Sequence, residues 1–256
     1  MCIRDRNKSY ESFDDTTKSI LISYSNGVNE FIENYPDKFT IEFDVLGYKP
    51  YKWKPEHSLL ISKLIAWELN ISWWSDVAFT HLVQKLDKEK VKEILPDFDE
   101  NAPTIIPSNL KKISSITTDL IKLDREFRKF AGGIGTHIGS NNWVVNGKRS
   151  FSGMPVIAND PHLVFTVPAK WYFVSVNSPN LSVDGFTLPG VPGVVIGKNK
   201  DISWVLTNVM ADDADFYIEK LDSQKTNYFL DNQWQPLTII KDTIFVKDSS
   251  EVIFEI

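Results

Sequence analysis

Hydrophobic periodicity changes once along this chain, and that change constrains the fold more than any other feature. Up to about Gly132 the apolar residues recur at helical spacing. After Ser140 they come in short β-rich runs, "WVV", "PVIA", "WYFVSV", "LSVDGFTL", "GVVIG" and "ISWVLTNV", separated by Gly, Pro and Asn/Asp turn signals. Helices first and strands afterwards predict an α+β protein whose second part is an antiparallel meander.

Within the first part, "LISYSNGVNEFIENY" predicts a helix between Ser12 and Tyr35, stopped by Pro36. "FTIEFDVLGYKPYKW" has a short strand pattern ending in the turn Gly47-Tyr48-Lys49-Pro50. Pro55-Glu56 opens one long helical stretch through "HSLLISKLIAWELNISWWSDVAFTHLVQKL", apolar nearly all round in its first half and so expected to be buried. "DKEKVKEIL" is a further helix, ended by Pro96. "PDFDENAPTIIPSNL", with three prolines and several acids, reads as an exposed linker. A last helix is expected from about Leu110 to Phe130. It gives way to a glycine-rich loop that runs into a polar-then-apolar start, Asn141 to Val145, expected to be a buried strand.

Composition excludes several functions. With 42% hydrophobic and 12% aromatic residues, 256 positions have material for a sizeable core. A net charge of −6 and no basic patch with interleaved aromatics argue against nucleic acid as a partner. Apolar runs such as Val191 to Gly197 are too short to span a bilayer, so no membrane partner is expected. The single thiol, Cys2, has no partner in the chain and says nothing of compartment. Met1 to Arg6 lacks the apolar core of a signal peptide and looks like adapter read-through from sequence assembly. The final "SSEVIFEI" alternates like a strand up to Ile256, and the chain is expected to be a piece of something longer.

On spacing alone, the chemistry is open. Gly139-Ser140 fits a turn or a cap as well as a nucleophile, and no G-x-S-x-G elbow surrounds it. His57, His81, His137 and His162 lack metal-ligand spacing, which gives zinc no support. "MADDAD" places hard oxygen donors close together, as calcium prefers, and equally fits a solvated acidic turn.

Longer stretches carry more. "SNNWVVNGKRSFSGMPVIANDPHL" and "LPGVPGVVIGKNKDISWVLTNVMADDADFYIEKL" resemble the penicillin acylase (penicillin amidase) family of N-terminal nucleophile hydrolases. Upstream, "IEFDVLGYKPYKWKPEHSLLISKLIAWEL" and "DENAPTIIP" resemble the end of that family's α chain. The match runs from about Leu21 to Leu221 with its motifs in order. It implies part of an αββα sandwich, with residues 7–109 in the α chain, 110–139 a spacer and 140–256 the start of the β chain. Such precursors cut themselves before the serine, here at Gly139-Ser140, and become an α/β heterodimer. They act in the periplasm or outside the cell, on a small-molecule amide and without an organic cofactor.

The resemblance also assigns roles. Ser140 becomes the nucleophile, and its own new α-amino group the base, since an amide nitrogen cannot accept the proton and an amine of pKa about 8 can. Gly132, Gly133, Gly135 and Gly139 would let the precursor bend the bond to be cut. His162, 22 residues after the serine, resembles the orienting residue, and Asn208 the donor of a backbone N–H to the oxyanion. Calcium, as a structural ion, would take Asp212, the Ala214 carbonyl, Asp215 and an upstream carboxylate near Asp76. Ile65, Leu69, Leu163, Val195 and Ile196 match the acyl pocket and are all apolar. A non-catalytic relative and a serine esterase with a Ser-His-Asp relay remain as alternatives.

Overall fold

A computed structural model describes residues 2–86, 88–94, 114–130, 139–163, 165–211, 214, 216–217, 219–246 and 249–255. It is helical first and antiparallel-stranded afterwards, an α+β chain as the periodicity demands. Two compact units follow one another, Met1–Asp213 and Ala214–Ile256.

In the first unit, α1 (Cys2–Ser12) packs on α4 (Pro55–Leu69). Helix α2 (Asp15–Asn34) starts at Asp14, whose carboxylate accepts the Thr17 N–H at 2.7 Å and is held below the usual carboxylate range mainly by that bond. Its buried residues Leu21, Ser25 and Asn29 recur every four positions, a single stripe. At the end of that stripe Asn29 donates to the Trp53 carbonyl at 2.9 Å and accepts the Trp53 N–H at 2.7 Å, pinning the segment that leads into α4. α4 itself begins with Pro55, and the Lys54 N–H donates to His57 Nδ1 at 3.2 Å. Burial first, with Arg6 and Lys54 nearby, lowers the His57 pKa, which favours the neutral ring that can accept this bond.

Three expectations are corrected here. The segment read as a strand is the helix α3 (Ile41–Leu46), closed by Gly47 at φ 66. The Phe39 and Phe43 rings meet at a tilt with centroids 5.6 Å apart, and Phe43 meets Tyr48 edge-on at 5.1 Å. Glu42 and Asp44 in the first turn suit the positive end of the helix dipole, and Gly47 supplies the left-handed residue that ends it, so the segment is helical despite its local β propensity. The long helix after Pro55 is two, α4 and α5 (Trp73–Lys85), broken at the polar residues Asn70 and Ser72. α4 is also not buried throughout: its buried residues are Ser58 and Glu68, while Leu64 is exposed. Helices α6 (Lys88–Ile94) and α7 (Ser114–Phe130) complete the first part, and the proline-rich linker lies outside the described residues.

The strands begin with the hairpin β1 (Gly139–Val145) and β2 (Val156–His162). A four-stranded meander follows: β3 (Tyr172–Ser178), β4 (Leu181–Thr187), β5 (Ile196–Asn199) and β6 (Ser203–Trp204). Gly185 and Gly197 face each other across β4 and β5, and a Cβ on Gly185 would fall 2.2 Å from the Ile196 carbonyl oxygen. The second unit holds β7 (Lys220–Leu221), β8 (Asn227–Leu230) and β9 (Gln233–Pro236), then the pair β10 (Lys241–Ile244) and β11 (Val252–Glu255).

Buried large apolar side chains among the described residues are Leu21, Ile71, Trp73, Trp74, Val77 and Val91, all from the helical part. The expected burial of β1 is therefore overturned: Trp143 and Val144 are exposed. A hairpin buries a face only against a second layer, and among the described residues little packs on β1–β2. Helices and strands of the first unit meet where Gly190, at φ 98, leaves space for Trp53 and Ile61 and donates its N–H to Tyr24 Oη at 2.9 Å. They meet again where Lys170 pairs with Glu68.

Candidate active site

Ser140 is the second residue of β1 and half-buried. The β1–β2 register pairs Gly139 with His162, Ser140 with Pro161, Asn141 with Asp160 and Asn142 with Asn159. Directly opposed residues share a face of the ribbon and successive ones alternate. Ser140 thus lies on the face of Asn142 and Asn159, whereas His162 lies on the other, with Gly139 and Asn141. A Cβ on Gly139 would come 3.9 Å from His162 Nδ1, so the ring stands against the residue preceding the serine. The other ring nitrogen, Nε2, meets Asp160 Oδ2 at 2.7 Å, both side chains being about half exposed.

Asn159 connects Ser140's strand to the second candidate. Its Nδ2 donates to the Asn141 carbonyl at 2.9 Å and to the Leu206 carbonyl at 3.1 Å, and its Oδ1 accepts the Leu206 N–H at 3.2 Å. One side-chain amide thereby holds the segment containing Asn208 alongside the residue next to Ser140. Asn208 in turn donates from Nδ2 to the Leu69 carbonyl at 2.8 Å and accepts the Met210 N–H at 3.3 Å. Both ends of the Asn208 side-chain amide are thereby engaged.

The end of α4 that receives Asn208 is built around a buried cation. Arg128, on α7 and 3% exposed, donates Nη1 to the Glu68 carbonyl at 2.6 Å and Nη2 to the Trp67 and Asn70 carbonyls at 3.0 Å each. Its Nε meets Asp124 Oδ2 at 2.7 Å, which also accepts the Trp74 indole N–H at 2.8 Å. The guanidinium carbon lies 4.2 Å from the Trp67 ring centroid.

The remaining candidates are spread more widely. Ile65, Leu69, Leu163, Val195 and Ile196 are all half-buried. Ile65 sits one turn beyond Ile61, which carries the Gly190 loop, and Ile196 pairs with Phe186 across β4 and β5. Asp76 is exposed in the first turn of α5, and Ala214 begins the second unit, but Asp212 and Asp215 lie outside the described residues. Ser72 Oγ donates to the Ala211 carbonyl at 2.8 Å, holding the start of α5 beside the residue before the acidic run. Among the described residues no three His, Cys, Asp or Glu side chains converge as a metal site, and no helix is long and apolar enough to cross a membrane. Gly132, Gly133, Gly135 and His137 also fall outside the described residues.

Three residues escaped the sequence reading. Asp160 was legible, since a strand through "NDPH" puts i and i+2 on one face. Asn159 and Arg128 were not, because their partners are backbone groups 47 and about 60 positions away.

The penicillin amidase family model matches residues 3–256. The acyl-homoserine lactone acylase QuiP of Pseudomonas aeruginosa is 33% identical over 244 residues, covering 91% of this chain and 28% of that protein. The penicillin acylase 2 proenzyme of Pseudomonas sp. strain SE83 is 26% identical, covering 100% of this chain and 33% of its own length. Penicillin G acylase of Escherichia coli is 25% identical, with 93% and 34% covered. The chain spans about a third of the length of these curated relatives.

Proposed function

This chain belongs to the penicillin amidase family, and from that footing we propose that the full-length protein is an amide hydrolase working through an acyl-enzyme on Ser140. The observation that carries the reading is the Asn159 bridge, which ties Ser140's strand, on Ser140's own face, to the Leu206–Asn208 segment. A nucleophile and an oxyanion donor have to be held in one rigid frame.

The first reaction is on the chain itself. Ser140 Oγ attacks the Gly139 carbonyl carbon, the hydroxyl proton passes to the Ser140 nitrogen, and that nitrogen leaves as a free amine while an ester forms. Water then hydrolyses the ester, leaving Gly139 as a carboxylate and Ser140 as a new N-terminus. In the second reaction the α-amine takes the proton from Oγ as Oγ attacks a substrate amide, and returns it to the departing amine. Water releases the acyl group. The Asn208 backbone N–H meets the oxyanion, since the Asn208 side chain is committed to Leu69 and Met210.

The product of this processing is an α/β heterodimer exported from the cytoplasm. The acyl group is apolar, in keeping with Ile65, Leu69, Leu163, Val195 and Ile196; among the matched proteins are acylases named for acyl-homoserine lactone and for penicillin. Calcium, with Asp212, the Ala214 carbonyl, Asp215 and an upstream carboxylate near Asp76 as candidate hard-oxygen donors, would be a structural ion.

A second reading is favoured by one contact. The Asp160–His162 pair is what a serine relay uses, but the register turns Ser140 to the opposite face. The deciding test is the mass and N-terminal sequence of the expressed full-length protein. A chain beginning Ser-Asn-Asn-Trp, absent from the Ser140→Ala variant, is the expected result. An active protein left uncut overturns the mechanism.

A further inference from the structure

We propose that Arg128 is a positioning residue for the self-cleavage reaction, acting on Asn208 through the C-terminus of α4. The inference rests on the reading of Asn208 as oxyanion donor and adds the element that holds it.

A helix ends with four carbonyls that have no partner within the helix. In α4 these are Trp67, Glu68, Leu69 and the capping Asn70, and each is satisfied. The Ala66 carbonyl accepts the Asn70 N–H as the last helical bond; beyond it Arg128 takes Trp67, Glu68 and Asn70, and Leu69 is left for Asn208. The guanidinium and the Asn208 amide therefore divide one helix terminus between them. The division follows from shape: a planar fork reaches several oxygens on one side of the turn, and the fourth oxygen faces the strand segment. A cation there also meets the negative end of the α4 dipole.

The site is built to keep Arg128 in place. A buried charge needs a counter-charge and full hydrogen bonding, and Asp124 supplies the first while itself being fixed by Trp74. Trp67 covers the guanidinium face. Removing the guanidinium frees the Trp67, Glu68 and Asn70 carbonyls, so the turn carrying Leu69 loses its fixed direction. Asn208 then loses the acceptor that sets its backbone.

The test is a double-mutant cycle in the full-length protein, reading the first-order rate of Gly139-Ser140 cleavage by pulse-chase during cell-free synthesis. Arg128→Ala and Asn208→Ala are each expected to slow cleavage about 10-fold or more, and the double variant no more than the slower single one. Arg128→Lys, which keeps the charge beside Asp124 but not the fork, should slow cleavage without a matching fall in thermal midpoint. It serves as the informative variant where Arg128→Ala fails to accumulate. Multiplying effects in the double variant, or a wild-type rate in Arg128→Lys, overturn the positioning role while leaving the nucleophile assignment intact. Failure of the wild-type protein to cut itself overturns both.

Discussion

Gly139 stands directly across the β1–β2 ladder from His162, while Ser140, the next residue, stands across from Pro161. The histidine is thus applied to the residue before Ser140, and its ring is paired with Asp160 on the face that Ser140 does not use.

From this geometry His162 is not the base toward Ser140 Oγ. His162→Gln, which keeps hydrogen-bonding groups but cannot titrate near neutrality, should leave substantial turnover of a saturating amide substrate in fully processed enzyme. Asp160→Asn should behave alike. A fall of about 10³-fold in kcat in both, with Ser140 correctly exposed, would support the relay instead.

Asn159 makes a separate forecast. Replacing it by Leu removes three bonds that join Asn141 to Leu206. On the proposed mechanism self-cleavage and kcat should both drop, because the Leu206–Asn208 segment is no longer tied to Ser140's strand, while KM should move less. Equal losses in a distant surface variant of similar thermal midpoint would refute a role in alignment.

Asn29 is a test of stability without chemistry. It is 8% exposed and bonded twice to the Trp53 backbone. Asn29→Ala leaves a buried N–H and carbonyl unpaired and should cost about 1–3 kcal/mol in denaturant unfolding of the full-length protein. The catalytic constants of the folded fraction should be unchanged.

Gly185→Ala should be among the more damaging small changes in the meander. The added methyl would sit 2.2 Å from the Ile196 carbonyl oxygen and 2.6 Å from the Gly197 Cα, both backbone atoms that cannot rotate away. Overpacking of this kind costs about 1–3 kcal/mol, and exchange of amides in β4 and β5 should quicken. Unaltered protection of the Phe186 and Gly197 amides would refute it.

Asp222 supplies the pH dependence. Hydrogen bonds led by Asn227, with Thr226, lower its pKa from 3.8 to about 2. A depressed carboxylate pKa stabilises the fold above the unfolded value and loses that contribution as pH falls through the folded one. The β7–β8 turn should therefore keep its Asp222-dependent order at pH 4 and lose it between about 3.8 and 2. Carbon-13 NMR titration of the carboxyl would check this; a midpoint near 3.8 would contradict it.

The succession of helices and strands was legible in the sequence because it depends on local pattern. α2, α6, the hairpin strands and the meander follow from 3.6- and 2-residue periodicity with Pro and Gly stops. Ser140, His162 and Asn208 were singled out by motif, and Asp160 stands two residues before His162. Tertiary structure decided the rest. α3 is a helix where a strand was expected, and its chain turns back at Gly47 to set Tyr48 against Phe43. The long helix breaks at Asn70 because the carbonyls around it serve Arg128 and Asn208. Which face Ser140 takes depends on the register, and a shift of one residue would have turned it toward His162. Local sequence carries propensity and spacing; partners some 50 or more residues apart are chosen only when the folded chain brings their backbone groups within hydrogen-bond reach.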